Sequence, residues 1–105
     1  MQIQINSDAH IDATGPLATQ VESAVQQAVG RFSSRITRVE VHLTDENSHK
    51  GGADDKRCMM EARIEGLQPT AVTHQASTVQ AAVDGAADKL KRALTSIVER
   101  LRDHR

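Results

Sequence analysis

The sequence predicts an α+β fold, a two-layer sandwich in which two helices cover one face of a four-stranded mixed sheet. Four short segments alternate polar and apolar residues, as half-buried strands do. Two longer segments repeat apolar residues every three or four positions, as amphipathic helices do. The order is β-α-β-β-β-α, and 105 residues fit a single domain that spans positions 1–105.

The N-terminal part of the chain holds a strand, a helix and a second strand. Residues 2–6, QIQIN, alternate and predict the first strand. The tripeptide TGP at 14–16 predicts a helix start, with the threonine or the glycine as the cap, because proline fits the first helical turn. This helix ends near residues 30–33. Its apolar stripe consists of Leu17, Val21, Ala24, Val25, Ala28 and Phe32. Residues 36–44 form the clearest strand, and the strand–helix–strand order predicts a parallel crossover.

The C-terminal part holds two more strands and a long helix. Residues 57–65 alternate and place Cys58 on the apolar side of the third strand. After a turn at 66–69, residues 70–76 form a weaker strand, and short links predict antiparallel pairing. The inward set of that strand is either Val72, His74 and Ala76 or Ala71, Thr73 and Gln75. The last helix begins at residue 77 or 78. Its apolar stripe consists of Val79, Val83, Ala86, Leu90, Leu94, Ile97 and Leu101.

Positive charge is gathered at the C-terminal end, although the net charge is −1. Residues 1–56 carry five basic and eight acidic side chains, a net charge of −3, whereas residues 89–105 carry six basic and two acidic ones, a net charge of +4. At 100° per residue, Lys89, Arg92 and Arg100 lie on one side of the apolar stripe. They form either a contact surface for a partner or a solvated flank in which Asp88 pairs with Arg92.

The segment HKGGADDKRC, residues 49–58, raises the question of a metal site or a catalytic loop. Zinc sites show repeated pairs of ligands, and this chain has one cysteine and no CxxC or HxxxH. Cys58 on the apolar side of a strand favours a buried thiol over a nucleophile. The two glycines precede a strand rather than a helix, so they do not form a phosphate loop. We predict a hairpin connection, either solvated or in contact with a partner through Lys50, Lys56 and Arg57, and no catalytic residue, metal or cofactor.

The N-terminus and the composition predict where the protein works. No basic region followed by an apolar run opens the chain, so no signal peptide is expected. No apolar run approaches the ~18 residues of a membrane span. A single cysteine cannot form an internal disulfide. These observations predict a cytoplasmic protein, and the single aromatic residue, Phe32, weighs against binding of single-stranded nucleic acid by stacking.

The last helix carries a recognisable pattern. The segment VQAAVDGAADKLKRAL, residues 79–94, resembles the last helix of the ribosome hibernation-promoting factor and ribosome-associated inhibitor A family, the sigma-54 modulation family. The matching stretches are Ala81-Ala82-Val83-Asp84, Asp88-Lys89-Leu90 and Arg92-Ala93-Leu94. The opening MQIQIN, the strand RVEVHL and the element order extend the resemblance to nearly the whole chain, in the short form that lacks a second domain for ribosome dimerisation.

The resemblance implies a non-enzymatic protein that binds rRNA of the small ribosomal subunit in the channel for mRNA and tRNA. There it would stop translation under stress or in stationary phase, with no small-molecule substrate. It implies that Lys89 and Arg92 contact rRNA, and both lie on the basic side of the last helix. A basic helix face can hold phosphates of structured RNA without reading bases. The further expected rRNA contacts are Arg100, Arg35, Arg38 and Lys56.

Two other hypotheses stay open at this point. The first helix has Gln26 and Gln27 where many family members have basic residues. A protein-interaction module of the same fold, without tight rRNA binding, would use the open sheet face and an exposed Met59, and weak self-association is one form of it. An enzyme using Cys58 or the histidines is the third hypothesis.

Overall fold

The computed structural model describes residues 1–8, 11–46 and 55–103. Residue 103 is described by its backbone alone. The elements are β1 (Gln2–Ser7), α1 (Pro16–Val29), a 3₁₀ turn (Gly30–Phe32), β2 (Ile36–Asp45), β3 (Lys56–Ile64), β4 (Thr70–Ala76) and α2 (Val79–Asp103). The predicted order is confirmed. His49, Lys50 and the two glycines of the segment 49–58 lie outside the described residues, as do His10 and His104, two of the histidines of the enzyme hypothesis.

The sheet has the strand order β1-β2-β3-β4. β1 and β2 are parallel, with Ile3 opposite Val39, and the two other pairs are antiparallel, with Val41 opposite Met60. The register shifts between Ile36 and Arg38, a local bulge in β2. Because of this shift, Ile36 and Val39 are both buried although their positions differ by three, an odd number that in a regular strand would place them on opposite faces.

Both helices cover one face of the sheet, as the two-layer prediction requires. α1 lies against β1 and α2, and α2 lies against β3 and β4. The sheet residues of the core are Val39, Val41, Leu43, Cys58, Met60 and Ala62, all at most 2% exposed. The fully buried helix residues opposite them include Val21, Val25, Val29, Ala86 and Leu90. The other face carries Glu40, His42 and Arg63 and remains partly open to water.

β4 turns Val72, His74 and Ala76 toward α2, which decides between the two predicted sets. Val72 and Ala76 pack against the core. The ring of His74 occupies the place that a Cβ atom at position 85 would take, so only glycine fits there on α2. This close approach brings β4 under the helix.

The two helices begin with different caps. Gly15 precedes α1 with φ of 57° and makes no side-chain cap hydrogen bond, while Thr14 bonds instead to Asp12. In α2 the backbone N–H of Ala81 donates to Oγ1 of Thr78 at 3.1 Å, so Thr78 is the cap. Neither described helix has the length and apolar composition that a membrane span needs.

Candidate nucleic-acid interface

The basic flank of α2, defined as Lys89, Arg92 and Arg100, lies along the side of the helix that faces β4. All three side chains are exposed. The position of the flank is set by Lys89, whose ammonium group donates a 2.8 Å hydrogen bond to the backbone carbonyl of Thr73 in β4. Helical spacing of three to four residues and their multiples keeps the flank on one side of the apolar stripe. The structure therefore brings these three predicted residues together.

Lys89 is held at one point and keeps donors for a second partner. An ammonium group has three N–H donors, and the Thr73 carbonyl accepts one of them. The bond also restrains the long side chain, which otherwise loses rotamer freedom when it binds. An anion that approaches the flank thus meets a charge whose direction is already set.

Arg92 forms the ion pair that the sequence spacing allowed. Nη2 of Arg92 lies 2.8 Å from Oδ2 of Asp88, one helical turn earlier. Both side chains are largely exposed, so the pair contributes no more than about 0.5 kcal/mol. A phosphate group can compete for the guanidinium at that cost. No described carboxylate lies within 4.0 Å of Arg100.

Arg38 lies on the opposite face of the sheet from α2. Its Nη2 is 3.0 Å from Oε2 of Glu40, and the same carboxylate lies 3.6 Å from Nε of Arg63 and 3.8 Å from the imidazole of His42. Glu40 therefore sits at the centre of a cluster of basic groups. Its charge offsets that of Arg38, and Arg38 does not share a surface with the basic flank.

Lys56 stands at the start of β3 between two carboxylates. Its Nζ lies 2.9 Å from Oδ1 of Asp55 and 3.6 Å from Oδ1 of Asp45. The hydrogen bond that Lys56 donates to Asp55 raises the pKa of the ammonium group above its usual value, and the charge of Asp45 adds to the effect. The positive charge of Lys56 is thus matched by acid within the protein. In the described part of the hairpin connection, Lys56 therefore contributes to local ion pairs where β2 ends and β3 begins.

Arg35 lies at the end of the molecule where the 3₁₀ turn meets the C-terminal part of α2. It is exposed and borders a surface depression that Arg31 and Arg102 also border. The predicted site did not include these two arginines. The spacing of Arg31 and Arg35 is visible in the sequence, but the approach of Arg102 from 67 residues further along the chain follows only from tertiary packing.

Cys58 is not available as a nucleophile. It is fully buried, and burial raises the pKa of its thiol to about 12, with the charge of Arg57 acting in the other direction. Because the thiolate is the reactive form, this cysteine is inert in the native state. His74 is its cross-strand neighbour, and no hydrogen bond joins the two side chains. Within residues 1–8, 11–46 and 55–102 no group of three His, Cys, Asp or Glu side chains could hold a metal ion.

The chain matches the model of a known protein family over nearly its whole length. The family model described as sigma 54 modulation protein / S30EA ribosomal protein matches residues 3–102. The chain belongs to this family. Membership in the S30EA family confirms the resemblance found on residues 79–94. It also decides against the enzyme hypothesis, because the S30EA family is ribosome-associated and is not a family of enzymes.

Two solved structures show the same fold as this S30EA member. A ribosomal subunit interface protein from Coxiella burnetii superposes with a TM-score of 0.79 at 14% identity, over 94% of this chain and 99% of that chain. The N-terminal domain of Protein Y from Thermus thermophilus superposes with a TM-score of 0.73 at 18% identity, over 92% of this chain and 99% of that chain. No curated protein sequence matches the chain.

Proposed function

We propose that this S30EA protein binds rRNA of the small ribosomal subunit in the channel for mRNA and tRNA, and that it inhibits translation there under stress or in stationary phase. The observation that carries the proposal is the basic flank, a row of three exposed cations on one side of α2. The family supports a ribosomal partner, and so does the similarity to the ribosomal subunit interface protein from Coxiella burnetii. A ribosomal partner in turn supports a cytoplasmic location.

The flank suits recognition of phosphates rather than of bases. Lys89 and Arg100 are separated by about 16 Å along the helix, at 1.5 Å per residue, so the flank can follow a stretch of nucleic-acid backbone. Phe32 is the only Phe, Tyr or Trp residue of the sequence and is buried, so no ring of these three types is available for stacking on a base. Structured RNA is recognised largely through its shape and its phosphates. The proposed contact is therefore electrostatic and sequence-independent.

The four other expected rRNA contacts have unequal support. Arg100 belongs to the flank and has no described acid partner, and Arg35 is equally unpaired among the described residues. Arg38 and Lys56 each lie beside carboxylates, so rRNA would have to displace those partners. We propose that Lys89, Arg92 and Arg100 make the main contact and that Arg35, which lies near Arg102 at the end of the molecule, makes a separate one.

Co-sedimentation with small ribosomal subunits through a sucrose gradient tests the proposal. The variant Lys89→Gln/Arg92→Gln removes two charges without placing an acid beside the Thr73 carbonyl. Lys91→Gln, compared with Lys89→Gln, is the matched control on the other flank of the same helix. We expect the double variant to bind at least about tenfold more weakly, and binding of the wild type to fall steeply with salt because phosphate contacts release counterions.

A protein-interaction module of the same fold is the second candidate. It is favoured by α1, whose exposed side carries Glu22, Gln26 and Gln27 and no basic residue. The expected exposure of Met59 is wrong, because its side chain is half-buried between its cross-strand neighbours His42 and Thr73. Absence of co-sedimentation even at low salt would favour this candidate, and sedimentation velocity of the protein alone would then test for self-association.

A further inference from the structure

A depression of about 370 Å³ lies between the 3₁₀ turn and the C-terminal part of α2. Three arginines border it: Arg31 at the turn, Arg35 just after it and Arg102 on the helix. At 100° per residue, Arg102 and Arg100 lie about 160° apart around α2. The arginine depression is therefore on a different side of the helix from the basic flank.

Arg31 is held in place by neutral partners. Its Nη2 donates a 2.9 Å hydrogen bond to Oγ1 of Thr95, and that hydroxyl in turn donates to the backbone carbonyl of Lys91 at 2.8 Å. The guanidinium carbon lies 4.6 Å from the centroid of the Phe32 ring. These contacts orient the planar group without neutralising its charge, and most of its five N–H donors remain available.

Among the described residues, these three arginines have no acid partner, in contrast to four of the other arginines. Each of the arginines Arg38, Arg57, Arg63 and Arg92 lies within 4.0 Å of a carboxylate. No described carboxylate lies within 4.0 Å of Arg31, Arg35 or Arg102. Glu99 borders the depression as its one acidic residue and leaves an excess of positive charge.

We infer that the arginine depression binds a phosphate group. Guanidinium groups match phosphate oxygens through paired N–H donors, and here three of them border one depression from two segments of the chain. The phosphate has two chemical sources, the backbone of an RNA or a free nucleotide polyphosphate. The inference goes beyond the proposed function, because it concerns a second site that the isolated protein would carry without the ribosome.

Pyrophosphate titration of the ¹⁵N-labelled protein, followed by NMR, tests the inference. The signals to follow are the arginine Nε–Hε groups and the backbone amide of Thr95. Arg35→Gln/Arg102→Gln removes two of the three charges. Arg57→Gln/Arg63→Gln removes two arginines from the open sheet face and is the matched control, and the amide spectra of both variants show whether the fold persists. We expect saturable chemical-shift changes around the depression. The affinity for pyrophosphate that they give should be at least about tenfold weaker in the first variant and nearly unchanged in the control.

Shifts that do not saturate, or an equal weakening in both variants, would overturn the inference in favour of a diffuse response to charge. Competition then identifies the source of the phosphate. Displacement of pyrophosphate by an RNA hairpin at lower concentration than by a nucleoside triphosphate indicates backbone phosphates, and the reverse order indicates a free nucleotide; either order supports the site. Because the titration contains no ribosome, its failure leaves the rRNA proposal standing, and failure of co-sedimentation leaves this site standing.

Discussion

The ammonium group of Lys89 donates a 2.8 Å hydrogen bond to the backbone carbonyl of Thr73, and this bond joins α2 to the edge strand β4. A residue proposed to contact rRNA therefore also contributes to the packing of the helix on the sheet. Its replacement changes two properties, which need separate measurements.

Lys89→Met should lower the free energy of unfolding by about 0.5–1 kcal/mol, because one hydrogen bond of a charged but exposed donor is lost. Lys91→Met is the control, since the Lys91 side chain makes no hydrogen bond with the described residues and only its carbonyl accepts one. Urea denaturation of the two variants gives the comparison. Equal stability of the two would mean that the Lys89 bond contributes nothing in solution.

Asp88→Asn should strengthen binding to small ribosomal subunits, because it releases Arg92 from its 2.8 Å ion pair and removes a negative charge beside the flank. The slope of the logarithm of affinity against the logarithm of salt concentration should become steeper by up to about one phosphate contact. Stability should change by no more than about 0.5 kcal/mol.

The control for that change is Asp84→Asn, which removes an exposed acid of the same helix on the side that faces α1. It should alter binding less than Asp88→Asn does. An equal gain in both variants would show that net charge rather than the release of Arg92 determines affinity, and a loss in Asp88→Asn would contradict the proposed role of Arg92.

Gly85→Ala should destabilise the protein, against the ordinary preference of helices for alanine over glycine. The added Cβ would collide with the ring of His74, and overpacking of this kind costs about 1–3 kcal/mol. In the background His74→Ala the same change should instead be neutral or stabilising. Thermal unfolding of the four proteins completes the cycle, and additive effects would contradict the predicted contact.

The buried thiol of Cys58 should make stability fall at alkaline pH. Burial raises the pKa of the thiol from 9.0 to about 12 in the folded protein. The unfolded chain loses this proton first, so the stabilising contribution is complete below pH 9 and is lost as the pH rises toward about 12. Between about pH 8 and about pH 10, the wild type should lose about 1 kcal/mol more than Cys58→Ala does, measured by urea denaturation.

Thiol labelling gives an independent test of the same burial. A reagent that needs the thiolate should react with native Cys58 only after the protein opens, so labelling should speed up sharply in urea. Fast labelling of the native protein at neutral pH would show that the thiol is accessible.

Local periodicity predicted the elements of this fold because each has one buried side. The alternation of β2 and the stripe of α2 are long enough to identify their type and most of their inward residues. Leu101, which was predicted in the stripe, is instead exposed, because it lies in the last turn of α2. The inward side of β4 stayed open because its two alternating sets are similarly weak. The decision depended on Gly85, whose missing Cβ admits the His74 ring, and this pairing joins residues of different elements.

In the candidate site, too, local spacing predicted some features, while others depend on contacts between different elements. The pair of Asp88 and Arg92 followed from helical spacing, as did the flank itself. Asp55, the closer acid partner of Lys56, is its neighbour in the sequence, but the approach of Asp45 depends on the pairing of β2 with β3, which the sequence alone does not give. The approach of Arg102 to Arg31 and Arg35 depends on the packing of α2 beside the 3₁₀ turn.

The burial of α2 decreases along its length, and this has a consequence for local opening. Leu90 and Leu94 are at most 1% exposed, whereas Leu101 is 40% exposed. Hydrogen exchange should therefore be slow at the amides around Leu90 and fast in the last turn, because opening of that turn exposes little buried apolar surface. Arg102 stands on this turn, so an anion that it holds would select the closed helix and slow the exchange there. The end of α2 would then report occupancy of the arginine depression through its protection, with no change in the rest of the fold.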